Sequence, residues 1–297
     1  MTDVSRISIP HPLSRNEWEA QQQLHVSILE PYAKERVDRG LKNRKHPIND
    51  FLFEYYTLRP GQLLRWSPGV DVLLEEAKEK DLEWGRLFRR EEDGLILRAE
   101  DFPAFRRDFL RWTLQYLESI RDRSPSFHCL GLHEWAMVYR EANIRHQTTP
   151  LRLSPEEIAE VVESQDLRCT HYDAFRFFSE EAVPRNRFPL TRVTTDQFDQ
   201  RGCVHVNMDL YKWCYKINPW CPGELLREAF LLAWDARQLD MRASPYDVRE
   251  FDLEPIRIET REGQEEYIKL QRELSTRSIP LRERLIEVYW LLLFVRG

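Results

Sequence analysis

Apolar residues recur along this chain mostly at helical spacing, with a single place where two short runs face each other across a turn. Ser14 and Glu17 form a capping-box pattern, and Trp18, His25, Ile28 and Tyr32 then follow on one helical face, which predicts a helix over 15–38. Pro47 suits the first position of a further helical segment. Arg86-Leu87-Phe88 and Leu95-Ile96-Leu97 flank a Glu-Asp-Gly turn and predict a β-hairpin within 84–99. Phe102, Phe105, Phe109 and Trp112 make an aromatic stripe, expected to face the core from a helix over 101–121. Ser154-Pro155-Glu156-Glu157 combines a capping serine, a first-position proline and a capping glutamate. Helices are expected again at 203–216, from Cys221 to about Met241, and at 262–277 and 280–295. The chain is therefore expected to be mainly α. A single compact helical domain over 14–297, with at most one small β-hairpin, would follow a polar tail at 1–13.

Composition supports helices over a turn-rich β fold. Glycine is scarce, at 10 of 297 residues, while aromatic residues reach 12%. Forty-four basic against 50 acidic residues give a net charge of −6, so no global field attracts nucleic acid. The local exception is Lys34, Arg36, Arg39, Lys42, Arg44 and Lys45, which would either contact phosphate or form a solvated helix end. Five cysteines without a CxxC pair or zinc-ribbon spacing, and no signal peptide, lead to an expectation of a reducing cytoplasm. The longest apolar run, Val288 to Val295, is too short to span a bilayer, so no membrane partner is expected.

The chemistry concentrates in five segments, 46–56, 127–140, 171–178, 203–216 and 235–247. Each sets a histidine or carboxylate among aromatic and apolar residues. Polar groups on buried stripes need partners or a task, and convergence of these segments would make a pocket. His205, Asp209 and Trp213 are spaced i, i+4, i+8 and should share one helix face. His133 and Glu134 are adjacent, so they should point about 100° apart on a helix. Asp50 and Glu54 are expected to pair with Arg59 or Arg65 unless they do acid–base work. Arg145-His146 falls in a loop, and 183–192 reads as a loop able to cover a pocket.

Three functions fit. In the preferred one, a carboxylate cleaves a nucleobase–sugar bond without a cofactor. Asp209 is its first choice, Glu134 and Asp173 are further catalytic candidates, and Trp213 and Tyr211 form the stacking platform. Trp135, Tyr172, Arg176 and Lys212 would add substrate contacts, and Arg242 a phosphate or sugar contact. The substrate would be a nucleobase-containing small molecule or nucleic acid. In the alternative, His133, His171 and His205, with Asp173 and Asp209, hold iron or another divalent metal for an oxidase or hydrolase. His205 and Asp209 are the only pair with suitable spacing in sequence. In the third, the polar residues are core networks of a non-enzymatic helical scaffold.

Four stretches carry a family resemblance. These are Gly-Leu-His-Glu-Trp-Ala-Met-Val-Tyr at 131–139, His-Tyr-Asp-Ala-Phe-Arg-Phe-Phe at 171–178, Asn-Met-Asp-Leu-Tyr-Lys-Trp at 207–213 and Asp-Met-Arg-Ala-Ser-Pro-Tyr-Asp at 240–247. They resemble a family of bacterial proteins commonly labelled 3-methyladenine DNA glycosylase, over roughly 46 to 275. The resemblance implies a helical enzyme acting on a nucleobase and carries no catalytic residue with it. The helix-hairpin-helix signature of other glycosylases is approached only by Ser67-Pro68-Gly69-Val70-Asp71, which lacks the second glycine.

Overall fold

The computed structural model describes residues 11–142 and 149–294. Eleven α-helices alternate with short 3₁₀ turns and one small sheet among these residues. The helices are α1 (Arg15–Leu41), α2 (Phe51–Tyr55), α3 (Pro60–Leu63), α4 (Arg107–Asp122), α5 (Leu132–Val138) and α6 (Pro155–Ser164). They continue as α7 (Tyr172–Phe175), α8 (Thr195–Phe198), α9 (Val204–Tyr215), α10 (Gly223–Ala243) and α11 (Arg261–Phe294). The strands are β1 (Leu73–Glu75), β2 (Arg89–Glu91) and β3 (Gly94–Ile96). The fold is mainly α, with the hairpin β2–β3 joined by β1 in the order β1-β3-β2, all antiparallel. Gly94 is required there, since a Cβ would sit 1.9 Å from the Leu74 carbonyl oxygen. Of the expected tail, residues 1–10 lie outside those described, and Leu13 bonds to Leu73 and Glu75 beside β1.

At the centre lies α9, ten of whose residues are buried, including His205, Asn207 and Asp209. A helix covered on nearly all sides shows little amphipathic pattern. α10 and α11 pack against it, α4 packs on α11, and α1 lies against α10. The core is one continuous cluster running from Trp18 through Tyr211 and Phe230 to Tyr289 and Leu293.

α11 ties itself to α9 by hydrogen bonds along its length. Gln271 and Ser275 donate to the Gly202 and Arg201 carbonyls, Arg282 donates to Asn207 Oδ1, and the Tyr289 hydroxyl donates to the Trp213 carbonyl. The two closing helices expected from Pro280 are one 34-residue helix. Burial on both sides of the proline, by Leu274 and Ser278 before it and Leu281 and Leu285 after it, outweighs the one missing amide bond. The aromatic stripe of 101–121 also departs from expectation. Phe102 is buried and Phe109 packs against the core as expected, whereas Phe105, in a 3₁₀ turn at 104–106, is 88% and Trp112 44% exposed, and Leu110, Leu114, Leu117 and Ile120 supply the rest of the inward face. The strand predicted at 86–88 begins at Arg89, after a further 3₁₀ turn.

Candidate functional site

Two clefts lie back to back, divided by α7 and by a pair of histidines. The first, of 590 Å³, is lined by Phe51, Tyr55, Glu134, His205, Arg237 and Tyr246 among others. The second, of 840 Å³, is lined by Trp112, Tyr116, His171, Asp209, Lys212 and Trp213 among others. Asp173 and Arg176 line both, joined by an ion pair of 3.2 Å. Behind them the rings of His171 and His205 stack with centroids 5.4 Å apart and planes 11° apart.

The second cleft gathers most of the residues expected for nucleobase chemistry. Asp209 is buried, accepts a hydrogen bond of 3.0 Å from the Tyr56 hydroxyl and is in a salt bridge with Lys212 one helical turn on. His171 caps the start of α7 and its Nδ1 lies 3.2 Å from Asp199, which in turn accepts from Tyr116 at 2.5 Å. Burial opposes charge on His171, but the Asp199 carboxylate and its hydrogen bond, helped by Asp209, raise its pKa above the ordinary value. Trp112 stacks on Tyr116 at 5.2 Å and 9°, with one face toward solvent. Arg176, Arg192 and Lys216 add positive charge at the rim, and Arg192 with Val193 brings in the turn after the 183–192 segment.

In the first cleft a chain of buried charges runs from α5 to α10. Asp240 Oδ1 lies 2.5 Å from His133 Nε2, Asp240 Oδ2 accepts from Arg237 at 2.9 Å, and the same Arg237 nitrogen donates to Glu134 at 2.8 Å. Glu134 and His133, which sequence spacing directs apart, are thus joined through Arg237 and Asp240. The Arg237 guanidinium also lies over the Phe51 ring at 4.0 Å. Burial works against a charged His133, but Asp240 and Cys129 raise its pKa well above the ordinary value. Burial, His133 and His171 together push that of His205 well below it. His205 approaches Asp240 only to 3.8 Å.

One ligand atom each of His133, His205 and Asp240 falls within 4.8 Å of the others, a spacing open to a metal ion. His133 and Asp240 already bond each other, so a cation held there would replace that hydrogen bond.

Several expected site residues lie elsewhere. Tyr211 is fully buried between Tyr56, Tyr215 and Phe230, so it belongs to the core and offers no stacking face. Trp135 is fully buried and donates to the Ala243 carbonyl. Trp213 borders the second cleft, but Lys212 covers a face of its ring at 4.4 Å, so the open aromatic surface is that of Trp112. Arg242 lines a separate depression with Asp252 and Arg277 and is held by Glu254 and Glu266. His205 and Asp209 share α9 but serve different clefts. His171 pairs with Asp199 and stands outside the His133–His205–Asp240 group.

Within the basic stretch Arg36 and Arg39 pair with Glu35, Asp50 and Glu54, while Lys34, Lys42, Arg44 and Lys45 are exposed. That also corrects the expected partners of Asp50 and Glu54. Lys45 lies at the edge of the first cleft. The loop expected at Arg145-His146 is outside the described residues. Asp240, Arg237, Asp199 and Tyr56 carry much of the two sites. Charge on the inward stripe of α10 marks Arg237 and Asp240 in the sequence without giving them a role, Tyr56 falls in the 46–56 segment, and nothing in the sequence singles out Asp199.

Comparisons of the chain with models of known families, with curated proteins and with solved structures find no match. No helix among the described residues is long and apolar enough to cross a membrane.

Proposed function

We propose that the chain is a glycosidase-type hydrolase that works in the Asp209 cleft on a small, negatively charged, nucleobase-bearing molecule. The observation that carries this is the meeting, in one cleft, of a salt-bridged carboxylate, a histidine with a raised pKa and an open aromatic face. Asp209 would stabilise the positive charge that grows on the sugar as the bond to the base breaks, or orient the attacking water. His171, aligned by Asp199, would hand its proton to the departing base nitrogen. Trp112 would stack the base, and Arg176, Arg192 and Lys216 would face a phosphate.

A volume of 840 Å³ suits a single small ligand. The test is release of free base, followed by chromatography, from a panel of nucleotides and from methylated DNA. Asp209→Asn retains an acceptor for Tyr56 and is expected to lose roughly 10²–10⁴-fold in turnover while still folding. Base release by Asp209→Asn at the wild-type rate, or none from any substrate by the wild type, would overturn the proposal.

A further inference from the structure

The first cleft, on the other side of the histidine wall from Asp209, is lined by a donor that the chain itself leaves unused. His46 sits in the turn that follows α1. Its Nδ1 accepts from the backbone amides of Ile48 at 3.3 Å and Asn49 at 3.1 Å, and its own amide donates to Asp50 at 2.9 Å. An imidazole nitrogen that accepts hydrogen bonds carries no proton, so the neutral ring has its N–H at Nε2. That N–H has no hydrogen-bond partner among the described residues. The ring is also held in place by Phe251, whose centroid lies 4.7 Å away. His46 is half-buried and lines the cleft, and Nε2 is its remaining polar ring atom.

The other charges of this cleft are paired. Arg237 bonds Glu134, Arg176 bonds Asp173, and Glu54 lies 3.6 Å from Arg36. Lys45 is different. It is exposed and has no ion pair among the described residues, and the same holds for Lys42 and Arg44 just before it. Burial deepens from this end inward, since Glu134 and Arg237 are only 5% and 2% exposed. The mouth of the cleft is therefore cationic, while its inner end carries its charges in pairs. Phe51 and Tyr55, stacked at 5.1 Å and 8°, give it a flat aromatic lining, and Met137 adds an apolar one.

We propose that the first cleft is a second ligand site, which binds a phosphorylated heterocycle of mononucleotide size with its phosphate at His46 Nε2 and Lys45 and its ring along Phe51 and Tyr55. A fixed N–H donor beside unpaired lysine and arginine side chains matches an oxyanion of more than one charge better than a single carboxylate. A volume of 590 Å³ holds one such molecule. The paired Glu134 and Arg237 at the inner end offer an acceptor and donors to the polar edge of a ring without asking it to carry charge. The site stands apart from the reaction assigned to Asp209, because the two clefts share only Asp173 and Arg176.

The experiment is photo-crosslinking of the full chain with the azido derivatives of adenosine, guanosine and uridine monophosphates, followed by peptide mass spectrometry. At least one probe should label 45–55 or Met137, which line only the first cleft. The unlabelled monophosphate should compete at concentrations where its nucleoside and inorganic phosphate do not. His46→Asn keeps a side-chain oxygen for the Ile48 and Asn49 amides but removes Nε2, and should weaken binding by about tenfold or more. Lys45→Glu, at an exposed position that leaves the fold untouched, should weaken it as well. Label confined to 109–116 or 192–193 would belong to the Asp209 cleft and overturn this inference without touching that reading. No label, equal competition by nucleoside or inorganic phosphate, or full affinity in both variants would overturn it too.

Discussion

His171 and His205 lie ring against ring, 5.4 Å apart, yet they hold protons with opposite preference. Each is buried, which alone would favour the neutral form of both. His171 has Asp199 at 3.2 Å and is raised, whereas His205 faces the charges of His133 and His171 and is lowered. The wall between the clefts is therefore asymmetric in charge, with its positive side toward Asp209.

That asymmetry predicts a pH signature in stability. The groups facing His171 are Asp199 and Asp209, which raise its pKa, and Lys212, which lowers it, with His205 stacked alongside. A pKa raised in the folded state gives stability that is fully present below the unfolded value of about 6.5 and is lost as pH rises through the folded value. The stability gap between wild type and His171→Gln should accordingly be larger at pH 5.5 than at pH 9. Urea titrations at the two pH values check it, and a gap that grows with pH would contradict the assignment.

Arg237 is the middle link of the buried chain, and its loss should be severe. Arg237→Met leaves Glu134 and Asp240 facing each other without their shared cation. Breaking a buried pair from one side costs about 3–5 kcal/mol, which a denaturant melt would register directly.

Trp112 tests the substrate side separately. It is 44% exposed, so Trp112→Ala should alter stability little while removing the aromatic face from the Asp209 cleft. Loss of a stacking contact of about 1–1.5 kcal/mol corresponds to roughly a five- to tenfold rise in KM, with kcat nearly unchanged. An unchanged KM would move base binding away from this ring.

Gly131 joins Cys129 to the charge chain through its backbone. Its φ of 73° and the 2.9 Å approach to the Ala243 Cβ leave no room for a side chain. Gly131→Ala should cost at least about 1–2 kcal/mol in thermal stability.

The fold class was legible because helical periodicity and capping residues are local signals: Ser14 with Glu17 and Ser154 with Glu157 mark α1 and α6 as the sequence predicts. What failed was phase and continuity. The 3₁₀ turn before α4 leaves Phe105 outside the stripe that Phe102 and Phe109 keep, and burial around Pro280 carried a helix through a residue that usually stops one. At the site, spacing identified α9 as the central helix but could not show that His205 and Asp209 look into different clefts. Asp199, Tyr56 and Asp240 reach their partners across 28, 153 and 107 positions of chain, distances over which no sequence period operates.

The hydrogen bonds from α11 to α9 bear on how a ligand could enter. Anchors at Arg201 and Gly202 just before the helix, and at Asn207 and Trp213 on it, fasten both ends, so sliding it by a single residue would break every one of them together. A part fastened at so many points behaves as a fixed anvil. Any change of shape in the Asp209 cleft then falls to the elements that line it away from α9, among them the turn carrying Arg192 and Val193.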